Sequence, residues 1–308
     1  MSKEGTSATR TIFQEAAEQD DVFDEARSAL RSFASRTAVL PASFYARLAE
    51  LKTGAVAAGN QAVAGAAWCL ENIGKAQNEY MRAWLSMSED RFYAAWCAFE
   101  QCEITLHFLA RHFDDSEDRY ALKFLRDHVP RWQSLFPYKV FISPGLIKIS
   151  ARCSICGTKF LPRHSCDHRL GRLYDGEACF SIVDAAKLLE ISLVTNPVQK
   201  YSVAFPEWRK FDYAAVHYVR SGLASPWHGW ETEWSTRRKA DPKYAATTRN
   251  SRCPCGSGRK FKRCHLNDPY HNAPHLEILF HEEVAVGFQS KLDDKPHYGI
   301  DDGGRPHS

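Results

Sequence analysis

The sequence predicts an α+β protein with a helical N-terminal domain, a β-rich central domain and a small C-terminal module rich in cysteine and histidine. Apolar residues recur at helical spacing up to about residue 137, extended runs broken at Pro and Gly follow, and Cys and His cluster twice in the second half. The 308 residues are 44% hydrophobic and 25% charged, which excludes wholesale disorder and collagen-like repeats. We expect domains at 1–137, 138–225 and 226–292, and a flexible tail at 293–308.

The first 137 residues are expected to contain two long amphipathic helices. Apolar residues return every three or four positions through residues 63–87 and again through residues 92–113. Ser88 is placed to cap the second helix, and the short connection predicts that the two helices pack antiparallel. Ser116, followed by two acidic residues, indicates a further helix start.

The central region is expected to be built from strands and turns. Residues 140–143 and 146–150 form two extended runs on either side of Pro144-Gly145, which predicts a turn. Residues 189–194 and 198–205 repeat this pattern around Asn196-Pro197. Cysteines and glycines lie between the two pairs of runs, where large apolar residues are few.

A first cluster of metal-ligating residue types lies in this central region, and it consists of Cys153, Cys156, Cys166 and His168. Zn²⁺ prefers a tetrahedron of thiolates and imidazoles, and a Cys-x2-Cys turn places two thiolates side by side. Gly157 relieves the strain of that turn. We therefore predict a zinc knuckle in the central domain. The sequence leaves open whether Cys179 replaces Cys166 or His168, and His164 is also nearby.

A second cluster lies in the C-terminal module, and it consists of Cys253, Cys255, Cys264 and His265. Residues 248–268 contain only two large apolar residues, so burial cannot offset a backbone ordering cost of roughly 1–2 kcal/mol per residue. A structural zinc contributes on the order of 10–16 kcal/mol. We therefore predict two Zn²⁺ sites, and four protein ligands at each indicate a structural rather than a catalytic metal.

The second cluster also resembles a known family. The stretch RCPCGSGRKFKRCH at 252–265 is similar to the SEC-C zinc motif, which is named for its place at the C-terminus of the bacterial preprotein translocase motor ATPase. The motif also occurs as an appendage on other bacterial proteins. The resemblance covers about 20 residues and implies that the four residues of the second cluster bind one zinc. It does not fix a partner.

Positive charge is concentrated around the second cluster. Residues 237–263 hold ten basic residues and one acidic residue. This charge predicts contact with nucleic acid or with an acidic protein surface, and the nearby tryptophans and Phe261 suggest base stacking. The residues expected to bind nucleic acid are Arg237, Arg238, Lys239, Arg252, Arg259, Lys260, Lys262 and Arg263.

Two enzyme families offer weaker resemblances in the middle of the chain. The stretch at 188–197 looks like a late strand of phage prohead proteases, and the first cluster would then lie in the loop after a strand at 146–150. This resemblance implies a β-barrel, with Ser150 as a candidate nucleophile. HNH-type nucleases pair a Cys-x2-Cys zinc with an Asp-His, which here implies that His168 activates water.

The function predicted from the sequence is that of a non-catalytic zinc-binding adaptor. It would bind nucleic acid, a partner protein or both, in a bacterial antiphage-defence or mobile-element system. The alternatives are an HNH-like nuclease using His168 and a degenerate serine hydrolase. The sequence has no apolar run of about 18 residues and no secretory signal, so we expect a cytoplasmic protein that does not enter a membrane.

Overall fold

A computed structural model describes residues 4–115, 117–161, 165–206 and 210–288, without the side chains of residues 4–11, 234 and 274. The chain divides into two compact units. The larger unit runs up to residue 227 and takes in the chain again from residue 284, and the smaller unit spans residues 228–283. The segments 1–137 and 138–225, which were expected to be separate domains, lie together in the larger unit. The predicted tail at 293–308 lies outside the described residues.

The larger unit is built on helices, as predicted for residues 1–137, and a further helix at 214–222 lies in the region that was predicted to be β-rich. The helices are α1 (Glu4–Gln19), α2 (Asp24–Arg31), α3 (Ala42–Ala57), α4 (Gln61–Ser88), α5 (Phe92–Leu109), α6 (Leu122–Leu135) and α7 (Ala214–Gly222). The side chains of Tyr80, Phe99 and Trp132 are fully buried where α4, α5 and α6 meet, and the Trp132 indole donates to the Tyr80 hydroxyl at 3.1 Å. Within the described part of the chain, no helix is both long and apolar enough to cross a membrane.

The helix pair predicted from residues 63–87 and 92–113 is present as α4 and α5, but the predicted cap is wrong. Helix α4 continues through Ser88, whose hydroxyl donates to the carbonyl oxygen of Trp84 at 3.0 Å. Helix α5 starts after Arg91, which makes no side-chain cap. A side-chain cap is found at the N-terminus of α4, where the Asn60 side chain accepts the Val63 N–H at 3.1 Å.

The start of α6 is set by an acidic turn. The predicted helix start at Ser116 lies outside the described residues, and α6 begins at Leu122. The carboxylate of Asp115 accepts the backbone N–H groups of Arg119 and Tyr120 at 2.8 and 2.9 Å. The buried carboxylate therefore accepts hydrogen bonds from backbone N–H groups just before the helix, which have no partner within the helix itself.

The central region forms a long two-stranded antiparallel ribbon, here called the first ribbon. It pairs β1 (Phe141–Cys153) with β4 (Ser181–Val194), and β2 (Leu173–Tyr174) and β3 (Glu177–Ala178) form a small hairpin in the connection between them. The predicted turn at Pro144-Gly145 is wrong, because both residues lie inside β1. Both residues pair with β4, and the register shifts directly after Gly145, where Leu189 of β4 is the extra residue of a bulge.

The β-barrel implied by the prohead-protease resemblance is absent from the described residues, whose sheets each contain two strands. Residues 146–150 do lie on the strand that precedes the first cluster, and residues 188–194 lie on the strand that follows it, but only Leu146 pairs with a residue of the second segment, Leu188. Among the described residues, the long strands of this ribbon pair with each other and make two isolated bridges besides, between Phe141 and Val203 and between Arg152 and Lys159.

The smaller unit repeats this plan. Its strands β5 (Trp230–Ala240) and β6 (Tyr270–Phe280) pair antiparallel along their full length and form the second ribbon. Residues 241–269 connect them and carry the second cluster. Each predicted metal site therefore lies in the connection of a two-stranded ribbon. The predicted combination of a helical N-terminal region, a β-rich centre with a knuckle and a C-terminal module is present.

Candidate metal centres

The first cluster gathers the four residues predicted from their spacing. One ligand atom from each of Cys153, Cys156, Cys166 and His168 lies within 4.8 Å of the others. The turn is closed by the Gly157 N–H, which donates to the Cys153 carbonyl at 3.0 Å, and Gly157 adopts a positive φ of 73°. Three thiols and one imidazole at this separation are a donor set that suits Zn²⁺.

The histidine of the first cluster has the surroundings of a metal ligand. Its ring packs edge-on against Tyr174, with centroids 4.5 Å apart. The Nδ1 atom of His168 is buried and has no hydrogen-bond partner among the described residues. One ring nitrogen of His168 lies among the three thiols, where a metal ion would bind it. The HNH interpretation needs the same histidine free to activate water, which this placement among the thiols does not favour.

Cys179 lies beside the first cluster but outside the group of four. Its Sγ is 3.7 Å from the Sγ of Cys153, and its side chain is fully buried. Burial raises the pKa of Cys179 to about 11, which keeps this thiol protonated. Burial also raises the pKa of Cys153, but the N–H groups of Cys156 and Ile155 outweigh it and lower that pKa to about 7. His164 lies outside the described residues.

The connection that carries the first cluster is docked on the N-terminal part of α4. Gln61 and Asp175 exchange two hydrogen bonds, one of them from the Asp175 N–H at 3.0 Å. Lys52 of α3 forms an ion pair with Glu177 at 2.5 Å. A Cβ on Gly176 would lie 2.9 Å from the backbone oxygen of Ala64, so only glycine allows this approach. The helices therefore fix the position of the knuckle.

The second cluster has the interatomic distances of a small tetrahedron. The Cys255 and Cys264 sulfurs are 3.6 Å apart, and the Nδ1 atom of His265 lies 3.3 Å from the sulfur of Cys253 and 3.2 Å from that of Cys264. Ligands about 2.0–2.3 Å from a tetrahedral zinc are about 3.5–3.8 Å apart. A disulfide would need sulfurs about 2.05 Å apart. The geometry therefore fits a bound metal ion.

The backbone of the CPCGSG turn places the first two thiols of this cluster. Gly256 and Gly258 have positive φ values of 80° and 70°, and the Cys253 N–H donates to the Arg259 carbonyl at 2.8 Å to close the turn. The Ser257 hydroxyl and N–H lie close to the sulfur of Cys255 and lower its pKa to about 6. This thiol is therefore a thiolate at neutral pH.

A very small hydrophobic core supports the second cluster. Tyr244, Phe261 and Cys253 are buried together, and Cys264 and Leu266 pack against them. Tyr244 stacks on Phe261 and on the imidazole of His265, with centroids 5.6 and 4.9 Å apart. No role was predicted for Tyr244, an aromatic residue in an otherwise polar segment.

The prediction that aromatic residues near the second cluster stack on bases is wrong for three of them. Phe261 is only 4% exposed, Trp227 is 8% exposed, and Trp230 is fully buried. These rings are used for packing within the protein.

The basic residues predicted to bind nucleic acid fall into two groups. Five of them surround the second cluster, are exposed, and form no ion pair with a described carboxylate: Arg252, Arg259, Lys260, Lys262 and Arg263. The other three lie on β5, where alternation places Arg237 and Lys239 on one face and Arg238 on the other. Arg238 is paired with Asp268, and Arg237 lies 3.9 Å from Glu277.

Comparison with known proteins identifies the second cluster. The SEC-C motif matches residues 249–267. The protein translocase subunit SecA of Nocardioides sp. (strain ATCC BAA-499 / JS614) is 54% identical over 35 residues, which cover 11% of this chain and 4% of SecA. No solved structure matches the chain. Residues 249–267 thus form a SEC-C zinc-binding module, and the prohead-protease resemblance of the central region has no support.

Proposed function

We propose that this protein is a non-catalytic recognition protein whose SEC-C module holds a basic surface against nucleic acid. The observation that carries the proposal is the group of five exposed cations at 252–263 that lack ion-pair partners among the described residues. Four of them lie on the backbone between the ligands of the second cluster, and Arg252 directly precedes the first ligand, Cys253. A metal ion that orders this backbone also fixes the spacing of the five cations. The basic surface can therefore form without a large hydrophobic core.

The charge of the module supports a polyanionic partner. Residues 241–269 contain seven basic and two acidic residues, and three thiolates with one Zn²⁺ change this balance by one negative charge. A net charge of about +4 on so short a segment attracts phosphates and steers association. Since Phe261 and Trp230 are buried, we expect contacts to the phosphate backbone and little dependence on base sequence.

A structural role for both metal centres supports the non-catalytic assignment. Each offers four protein ligands, which leave no open position for water or substrate on a tetrahedral zinc. Ser150, the candidate nucleophile, forms no hydrogen bond to a histidine within the described residues. The antiphage-defence setting depended on the prohead-protease resemblance and is not part of this proposal.

The test is a salt titration of nucleic-acid binding with the zinc-loaded full chain. Fluorescence anisotropy of a labelled single strand should show an affinity that falls with salt with a slope of about −3.5 for five phosphate contacts. The triple variant Arg252→Gln, Arg259→Gln, Lys260→Gln should reduce the magnitude of that slope by about 2. A matched control changes three exposed cations of the helical unit to Gln: Arg47, Arg91 and Lys123.

Three outcomes would contradict the proposal. The first is the absence of binding at about 50 mM salt, and the second is an affinity independent of salt. The third is displacement of the nucleic acid by polyglutamate at equal charge concentration, which would favour an acidic protein surface as the partner. Equal loss in the control variant would show that the net charge of the chain matters rather than the SEC-C module.

A further inference from the structure

The first ribbon has two chemically different faces. The pairs Ile142–Leu193, Pro144–Ile191 and Leu146–Leu188 lie on one side of the ribbon. Residues two apart on β1 point the same way, paired residues share a face, and the extra residue Leu189 of β4 brings Leu188 to this side. The opposite side carries Ser143 paired with Ser192, Gly145 with Glu190 and Ile147 with Lys187. We call the six residues of the first three pairs the apolar face.

The apolar face is exposed. All six residues are accessible to solvent, and five of them are between 41% and 70% exposed: Ile142, Leu146, Leu188, Ile191 and Leu193. The ends of the ribbon are held on the helices, since Phe141 stacks on Trp96 and Phe180 packs on Phe108. The exposed residues are therefore part of a firmly attached element.

Such a face needs a partner. A two-stranded ribbon by itself is marginally stable in water, and a contiguous apolar patch of this size marks an interaction site. The exposed surface of the six residues of the apolar face adds up to about 600 Å² per chain. Two such patches together bury about 1,200 Å², which reaches the size of a specific protein–protein interface.

The chemistry of the face favours a second copy of this chain as its occupant. The three pairs contain no charged group, so they select no charged partner. They form two parallel rows of three aliphatic side chains, which interdigitate with an identical pair of rows across a two-fold axis. The C-terminal segment 289–308 is a poor alternative, because seven of its twenty residues are charged.

We propose that the protein forms a two-fold homodimer in which the apolar faces of two first ribbons pack against each other. The ribbon faces form a small sandwich with the six aliphatic residues of each copy at its centre. The polar faces remain outward. This interface leaves the basic residues of the SEC-C module unused, so it does not depend on the function proposed above.

The test is the oligomeric state of the zinc-loaded full chain, measured by sedimentation velocity across a concentration series. Wild-type protein should sediment as a dimer at micromolar concentration. Ile191→Asp places one charge per copy at the centre of the interface and should weaken dimerisation at least about 100-fold, because two carboxylates would be buried without partners. Zinc content and helical circular dichroism should match those of the wild type.

The matched control lies on the same ribbon. Ile147 is 50% exposed on the polar face, so Ile147→Asp makes the same chemical change where no contact is proposed. This variant should remain a dimer. A photoreactive residue at position 191 should also cross-link two differently sized copies of the chain, whereas the same residue at position 147 should not.

Three results would overturn the proposal. One is a monomeric wild-type protein at about 50 μM, well above the dissociation constants usual for interfaces of this size. Another is an equal effect of the Asp substitutions at positions 147 and 191 on the dimer. The third is cross-linking from position 191 that captures a different protein in place of a second copy.

Discussion

At the scale of single residues, position distinguishes Cys179 from the cysteines of the first cluster. Its sulfur lies 3.7 Å from that of Cys153 and its side chain is fully buried, but it is not one of the four residues whose ligand atoms all lie within 4.8 Å of one another. Four ligands complete a tetrahedral zinc site. The structure therefore indicates four ligands and one neighbouring packing residue.

This distinction predicts the zinc content of two variants. Cys166→Ala should reduce bound zinc from two equivalents to one, because it removes a ligand of the first cluster. Cys179→Ala should keep two equivalents and lose only packing in the knuckle. Elemental analysis of purified protein measures both. Loss of zinc from the Cys179 variant, with zinc retained in the Cys166 variant, would reverse the assignment.

The residues of both clusters could be predicted because ligand spacing is a local property of the sequence. The stacking of Tyr244 on His265 could not be predicted, because it joins two residues that are far apart in the sequence. Phe261 was expected to stack on nucleic-acid bases, but it is buried in the same small core as Tyr244 and Cys253.

At the scale of elements, the docking of the knuckle on α4 depends on a backbone contact. Gly176 has a positive φ of 67°, and a Cβ there would meet Lys52 at 2.6 Å and the backbone oxygen of Ala64 at 2.9 Å. Side chains can move aside, whereas the oxygen belongs to a helix and cannot. The position of the first cluster relative to the helices is therefore sensitive to this one residue.

A pair of glycine substitutions tests this docking. Gly59→Ala, at a φ of 70° with open space around it, should cost about 1 kcal/mol of unfolding free energy through the backbone alone. Gly176→Ala should cost about 2–4 kcal/mol, because the steric conflict adds to the same backbone strain. Urea denaturation measures both. Equal costs for the two variants would mean that the contact with α4 contributes nothing.

The strands were harder to predict than the helices. The period of α4 and α5 is carried by many residues of each helix, so tertiary contacts did not override it. In β1, Pro144 and Gly145 carry a strong local turn signal, but both residues pair with β4, and Leu189 of β4 is the extra residue where the register shifts after Gly145. Long-range pairing therefore prevailed over the local preference.

At the scale of the whole molecule, the two compact units depend on metal to different degrees. The larger unit contains the helices and a large buried core, and the smaller unit has only a few packed residues around its cluster. A domain boundary was predicted at residue 137, but the helices contact the central region across it. These contacts join residues far apart in the sequence, such as Gln61 and Asp175, so composition alone does not reveal them.

Removing zinc should therefore affect the units unequally. Incubation with a strong chelator should leave most of the ellipticity at 222 nm intact, because the helices lie outside the smaller unit. Residues 241–269 should become sensitive to trypsin at their exposed arginines and lysines. Limited proteolysis with mass spectrometry locates the cuts. A loss of helical signal in parallel with zinc release would show that the fold of the larger unit also requires metal.

Cys153 is both the last residue of β1 and a member of the first cluster, and this double role has a consequence for the ribbon. A strand that slides by one residue along its neighbour turns every side chain to the opposite side. A metal ion bound by the first cluster would hold Cys153 opposite Ser181 and so resist sliding at this end of the ribbon. Zinc binding would thereby stabilise the strand pairing nearest the knuckle, before the first of the register shifts along β1.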